Sequence, residues 1–388
     1  MKILIVNDLH WPSMNGVAFS ARTLAIGLAR RGHDVQVIAP STNAKNYSET
    51  DTNHKVWRIA SVQMPMFAHV RMSLAPQRQV RKIIDQFQPD VIHAHTSLSI
   101  GPAAVAYGKR NGIPVVTTNH AMPENMLENM KILAPISKPI ERILDQWGKR
   151  FHNRADIVTM PTASAIEMFS NYSRGVDIIP VSNGIDLTQF LPGDAPDYVY
   201  EKYKLPRDAS VVTYVGRIDA DKHVSILVDA FDRLRKTNPD THLLLIGGGN
   251  DDEVIAESVR SRGLSDYVSQ TGRVSEQDKI DLLKAGKIFA MPSPVELQSI
   301  ATLEAMASGQ AVVAVDAGAL GELCLDGQNG FLVELDDANA IANAIAKILD
   351  NPALFARMST ESLAIAKTHD IDTTLETFEK IYDSLIKN

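Results

Sequence analysis

The sequence predicts two α/β units in series, each a doubly wound parallel sheet with helices on both faces. Three observations carry this expectation. Short apolar runs alternate with helical patterns from the first residues onward. The runs are apolar on both faces, which suits strands covered on both sides of a sheet. The alternation then restarts near residue 211, and 388 residues exceed what one hydrophobic core ordinarily serves.

In the first half, strands are expected at 3–6, 34–38, 90–93, 114–118 and 156–160, with helices at 21–31, 76–87 and 102–110. A strand followed by Asn183-Gly184 combines extended chain with a turn signal near 178–187 and marks the junction. In the second half, strands are expected at 211–215, 242–246, 287–290, 311–315 and 330–333, with a helix at 224–237. The final helix, 373–386, follows a polar break at 368–372 and is assigned to the first domain. The expected boundaries are therefore 1–185 plus 373–388 for one domain and 186–372 for the other.

Apolar residues make up 45% of the chain and charged residues 22%, as in soluble globular proteins. No apolar run approaches the roughly 20 residues a membrane span needs. The first residues run straight into a strand without a cleavage region, and Cys324 is the only cysteine. Disulfides and thiolate metal sites are thereby excluded, and a cytoplasmic location is expected. The net charge of −7 is uneven: residues 1–185 hold 20 Lys+Arg against 13 Asp+Glu, and the remainder 19 against 33. A basic half suits an anionic partner, although ordinary scatter of solvated charge reads the same way.

The most informative stretch runs from Pro294 to Gly309 and carries Glu296 and Glu304. Ser299 is a good N-cap, 301–307 suits a helix, and Gly309 suits its left-handed stop. Eight residues of helix would put the two carboxylates about 80° apart, so one helix face does not account for both. Glu296 is expected in the preceding loop and Glu304 inside the helix. Two carboxylates can hold sugar hydroxyls while free amides at the helix start hold phosphate. A capping Glu and a surface Glu would give the same residues. Gly16 sits in the turn between the first strand and the first helix, without the full Gly-x-Gly-x-x-Gly of a dinucleotide site. His120 ends a strand, where active-site side chains collect in open parallel sheets. His93 and His95 end the preceding strand, and one of them is expected to be structural.

The ordered set Asn183-Gly-Ile-Asp186, Val215-Gly-Arg217 with Lys222, Glu296 with Glu304, and Asp326-Gly-Gln-Asn-Gly330 resembles the family-4 retaining glycosyltransferases of the GT-B fold. The likeness spans essentially the whole chain. It implies two Rossmann-like domains facing a cleft, and a metal-independent hexosyltransferase that retains anomeric configuration. Arg217 and Lys222 would neutralise the departing diphosphate, Glu296 would contact the transferred sugar, and Glu304 would accept from the ribose hydroxyls. The backbone of Gln298, Ser299 and Ile300 would meet the distal phosphate. Gly16 and Gly248 would let the chain approach the donor, and Val274 would lie at the base. His120 would line the reacting sugar, making it catalytic together with Glu296, Arg217 and Lys222. The sequence is read as lacking an Asp-x-Asp triplet suited to chelating a divalent ion beside the diphosphate, in keeping with an active site that needs no metal or cofactor.

The implied donor is a nucleotide sugar, with UDP the expected carrier. Residues 119–125 also resemble bacterial glycolipid-forming glycosyltransferases, so a membrane lipid such as diacylglycerol is the expected acceptor. A soluble or polysaccharide acceptor, or a GT-B-like sugar-nucleotide epimerase, is the alternative. Segments 64–82 and 122–154 mix apolar and basic residues, which suits peripheral contact with an anionic membrane at the inner face of the cell. No nucleic-acid partner is expected.

Overall fold

The computed structural model describes residues 1–11, 16–64, 67–120, 137–169 and 176–387, without the side chains of 67–69, 137–141 and 145. The chain divides into two compact units, Met1–Gly184 with Ile371–Asn388, and Ile185–Asp370. Both are α/β units built on largely parallel sheets, the class that the alternation of apolar runs and helices predicts.

The first unit has an eight-stranded sheet. Its strands are β1 (Lys2–Val6), β2 (Asp34–Pro40), β3 (Tyr47–Asp51) and β4 (His54–Ile59), followed after a separate hairpin by four more. The hairpin is β5 (Val62–Met64) with β6 (Phe67–Met72). The rest are β7 (Val91–Ala94), β8 (Val115–Thr118), β9 (Ile157–Met160) and β10 (Ile178–Pro180). Their order is β10-β9-β8-β7-β1-β2-β4-β3, with only β3 antiparallel to its neighbour. The buried strands were legible as apolar runs. The β3–β4 and β5–β6 hairpins were not, because Tyr47–Asp51 is a polar, exposed edge strand without an apolar face.

The sheet is covered on one face by helix Gly16–Arg30 and by the terminal helix Ile371–Ile386. Leu375, Phe378, Ile381 and Tyr382 of the terminal helix pack with Leu24 and Leu28. Gly27 makes room for them: a Cβ there would lie 2.7 Å from Leu375. The break before this helix is shorter than 368–372, since the helix already begins at Ile371.

The second unit has six parallel strands: β11 (Ser210–Val215), β12 (Thr241–Ile246), β13 (Val268–Gln270), β14 (Gly286–Met291), β15 (Ala311–Val315) and β16 (Gly330–Val333). They lie in the order β13-β12-β11-β14-β15-β16. The order reverses between β11 and β14, and loops beyond the C-terminal ends at such a switch point form a crevice for ligands. The helix expected over 224–237 stops at Leu234, and the next residues form turns that bond back to Phe231 and Leu234.

Candidate active site

In the second unit, β11 ends at Val215 and the chain turns through Gly216 into Arg217. A Cβ on Gly216 would sit 2.6 Å from the Tyr214 hydroxyl, which donates to the Arg217 carbonyl at 2.7 Å. The following turn, Ala220–Lys222, aims its charges along one connected chain. Arg217 is gripped by Asp219 and, at 2.7 Å, by Asp221. Asp221 lies 3.9 Å from Lys222, whose Nζ is 2.8 Å from Glu296. Lys222 also donates to Ser293 Oγ at 3.3 Å and the Val295 carbonyl at 3.4 Å. Burial pulls the Arg217 pKa down, but the two aspartates outweigh it and hold the guanidinium firmly charged.

This arrangement corrects one expectation. Asp219-Ala-Asp221 is an Asp-x-Asp triplet by spacing. Both carboxylates are buried and serve as a clamp on Arg217, with Asp219 also accepting from the Asn250 amide at 2.7 Å.

Glu296 is fixed from the other side by its backbone. Its carbonyl accepts from the Ala319 amide at 2.8 Å, and a Cβ on Gly318 would come 2.6 Å from that oxygen. Gly318 also has φ +57, so both space and backbone conformation call for glycine. Its part in positioning Glu296 was invisible in the sequence, because a separation of 22 positions says nothing of the contact.

Ser299 caps helix Ile300–Ala307 by accepting from the Thr302 amide, as its sequence context predicts. The Leu303 amide bonds the Ser299 carbonyl, leaving those of Ile300 and Ala301 without an acceptor among the described residues. Two N–H groups at a positive helix end form a small anion cradle. Gln298 is buried, with its amide 3.5 Å from the His369 ring. Gly309 closes the helix with φ +85.

Glu304 is 2% exposed and lies 2.7 Å from Lys279, which also meets Glu276 at 2.9 Å. Burial raises the Glu304 pKa, against the pull of Lys279. Lys279 was not read from the sequence; it lies 25 positions away in helix Glu276–Ala285, and nothing local signals the pair. Removing Glu304 takes away the buried counter-charge of Lys279 and leaves it the more exposed Glu276. Glu304→Gln is therefore expected to destabilise the unit by about 3 kcal/mol, read as a lower urea midpoint by circular dichroism.

Two glycines after β12 serve the protein's own backbone. A Cβ on Gly247 would strike the Gly216 carbonyl at 2.0 Å, and one on Gly249 the Ile218 carbonyl at 2.2 Å. At Gly248 the nearest atom is the Asp252 carboxylate at 3.0 Å. Val274 is half-buried beside the cluster of Val199, Leu205 and Leu244.

Gly16 and His120 belong to the first unit. Gly16 opens the first helix, and a Cβ there would meet nothing within 4 Å among the described residues. His120 Nε2 lies 2.9 Å from His95 Nδ1, and burial pushes its pKa down to about 4. It is therefore a neutral imidazole at physiological pH, sharing one proton with His95. His93 is wholly buried, bonded to the Tyr382 hydroxyl at 2.7 Å and Thr118 at 2.6 Å, which makes it structural. Asp8, unread in the sequence, caps helix Ile100–Arg110 by accepting from the amides of Ser99, Ile100 and Gly101.

Of the two segments expected at a membrane, 122–136 lies outside the described residues. In the other, Arg71 is not free for lipid: it donates to the Ser41 and Ser61 carbonyls, each at 2.8 Å. Among the described residues no helix is long and apolar enough to cross a membrane.

Comparison with known proteins bears on both units. Residues 14–189 match the family model "Glycosyltransferase Family 4", and residues 199–363 match "Glycosyl transferases group 1". The chain is 23% identical over 394 residues to the alpha-monoglucosyldiacylglycerol synthase of Acholeplasma laidlawii, covering 100% of this chain and 98% of that protein. It is 26% identical over 390 residues to the phosphatidyl-myo-inositol mannosyltransferase of Mycolicibacterium smegmatis, covering 99% and 94%. Among solved structures, the sucrose-phosphate synthase of Thermosynechococcus elongatus matches with a TM-score of 0.82 at 21% identity, over 100% of this chain and 99% of that one. Anabaena HepE in complex with UDP-glucose matches with a TM-score of 0.75 at 20% identity, over 99% and 100%. With each half matched to its own domain model and the fold shared throughout, the chain belongs to the group 1 glycosyltransferases and combines a family-4 N-terminal domain with a group 1 C-terminal domain.

Proposed function

We propose that this glycosyltransferase moves a hexose from a UDP-sugar to the hydroxyl of a membrane lipid such as diacylglycerol, with retention of configuration and without a metal at the active site. The observation that carries the reading is the linked chain Arg217–Asp221–Lys222–Glu296. Breaking the bond from the sugar to the diphosphate transfers negative charge to the leaving oxygens. Cations and helix amides held in place before the reaction stabilise that charge without reorganising. Arg217 and Lys222 supply the cations, and the amides of Ile300 and Ala301 supply the dipoles. Glu296, held beside Lys222 by its own backbone, faces the carbohydrate and offsets positive charge developing at the anomeric carbon. Glu304 receives the ribose hydroxyls.

The lipid acceptor is supported by the names of the two curated relatives and by one surface. On helix Ser137–His152, Ile143 is 65% and Trp147 51% exposed, four residues apart on one face, with Arg142 and Arg150 exposed nearby. Apolar anchors beside cations suit the surface of an anionic bilayer. The site would then be peripheral, at the inner face of the cell membrane.

The test is incubation with UDP-glucose in the presence of EDTA and vesicles of diacylglycerol with phosphatidylglycerol, with the product's anomeric configuration read by NMR. An α-glycosyl lipid is the expected product. Turnover only with a soluble saccharide would replace the acceptor, and a new epimer formed without acceptor would replace the reaction class. Ile143→Ser with Trp147→Ser should reduce vesicle co-sedimentation; unchanged binding would remove this helix from the membrane contact.

A further inference from the structure

We propose that His10, Asp51 and His54 bind a divalent transition-metal ion, zinc foremost, that ties the β3–β4 hairpin to the loop after β1. One ligand atom from each residue lies within 4.8 Å of the others. A tetrahedral zinc with bonds of about 2.0–2.2 Å places its ligands about 3.4 Å apart, so a modest contraction of the three side chains suffices. The hairpin holds two of the three ligands in register, because Asp51 and His54 are cross-strand partners with Thr52 at φ 56 in the turn between them.

The imidazoles are the second, independent observation. His10 and His54 are each 4% exposed. Among the described residues neither ring nitrogen of His10 has a hydrogen-bond partner, and Nε2 of His54 has none. Buried polar atoms are ordinarily satisfied, and each orphan costs about 1–3 kcal/mol. One nitrogen from each ring converges with a carboxylate oxygen of Asp51, a ligand set without an ion. Burial keeps both rings neutral, with His10 pushed down to about 3, so their lone pairs need no deprotonation. The hydrogen bond from Arg22 holds Asp51 ionised.

The surrounding charges permit the ion. Arg22 grips Asp51 at 2.6 and 2.7 Å, and Arg58 meets Glu49 at 2.7 Å, so these four formal charges cancel. Arg22 thus stands behind the liganding carboxylate in the way outer-shell donors orient metal ligands. Two imidazoles and one carboxylate favour zinc or its neighbours in the first transition row over magnesium or calcium, which take oxygen ligands. The fourth position falls to water.

The experiment uses the untagged full chain, stripped with chelator, equilibrated with zinc, desalted and assayed for metal content. One zinc per chain is expected. His54→Gln and His10→Ala should each weaken zinc binding at least about tenfold, and cobalt should give the intense visible absorption of a four-coordinate site only in the unsubstituted chain. His54 lies at the hairpin turn, so its Gln variant reads the site even if His10→Ala fails to fold. Failure of the wild type to retain zinc, or equal uptake by both variants, would overturn the site. Neither outcome bears on glycosyl transfer, which uses none of these residues.

Discussion

Lys222→Ala should lower kcat by about 10²–10³-fold, the loss typical of removing one preorganised group that stabilises transition-state charge. The magnitude follows from the linked charges. Lys222 is the cation that both approaches Glu296 at 2.8 Å and lies 3.9 Å from Asp221. On the proposed mechanism its removal takes positive charge from the leaving diphosphate, and it leaves Glu296 without the ammonium at 2.8 Å while Asp221 keeps Arg217. Glu296→Gln tests whether they act as a unit. If they do, the double variant will be little slower than the worse single one, since members of one catalytic group are strongly non-additive. Steady-state rates with saturating donor decide it, with circular dichroism confirming the fold. A Lys222→Ala enzyme within threefold of the parent would remove this residue from the chemistry.

Acid should unfold the first unit well before ordinary carboxylates titrate. His93, His95 and His152 are buried in it, and burial holds the pKa of His93 and His152 down to about 3 and that of His95 well below 6.5. Their bonded partners are uncharged: Tyr382 and Thr118 for His93, His120 for His95, and Thr117 for His152. Above about pH 6.5 folded and unfolded chains both carry neutral rings, so stability does not change on their account. Below it the unfolded chain takes up protons that the folded one refuses. Stability therefore falls as pH falls, by about 1.4 kcal/mol per pH unit for each histidine, until the folded rings themselves titrate. All three tryptophans, Trp11, Trp57 and Trp147, lie in this unit, so intrinsic fluorescence reads it alone. The urea midpoint by fluorescence should drop steeply between pH 7 and pH 5. A flat midpoint over that range would show that the rings are protonated in the folded state.

The fold was legible because its strands are buried on both faces. β1, β12 and β15 are apolar almost throughout, and the helices between them carry the 3.6-residue period. Polar edge strands such as β3 have no such signature, and the sequence offers no apolar face to mark them. The cap at Ser299 was readable because capping is a local code. The pairs that complete the site were not. Lys279 with Glu304, Gly318 with Glu296, and Asp219 with Arg217 are each set by where strands end in space. Asp219-Ala-Asp221 was in view as residues but carries two opposite meanings, a chelator or a clamp, and only its neighbour's guanidinium decides between them. His10 and His54 are 44 positions apart in unremarkable contexts, and burial without partners is a property of coordinates alone.

Leu375, Phe378, Ile381 and Tyr382 follow the whole second unit in the chain, yet they belong to a core cluster of the first. On the ribosome, at about 5–20 residues per second, the second unit has all its residues before the first does. The N-terminal half must wait with Leu24 and Leu28 uncovered until residues 371–386 have been made. A stop codon after residue 370 would therefore spare the second unit and yield a first unit prone to aggregate, reversing the usual vulnerability of late truncations.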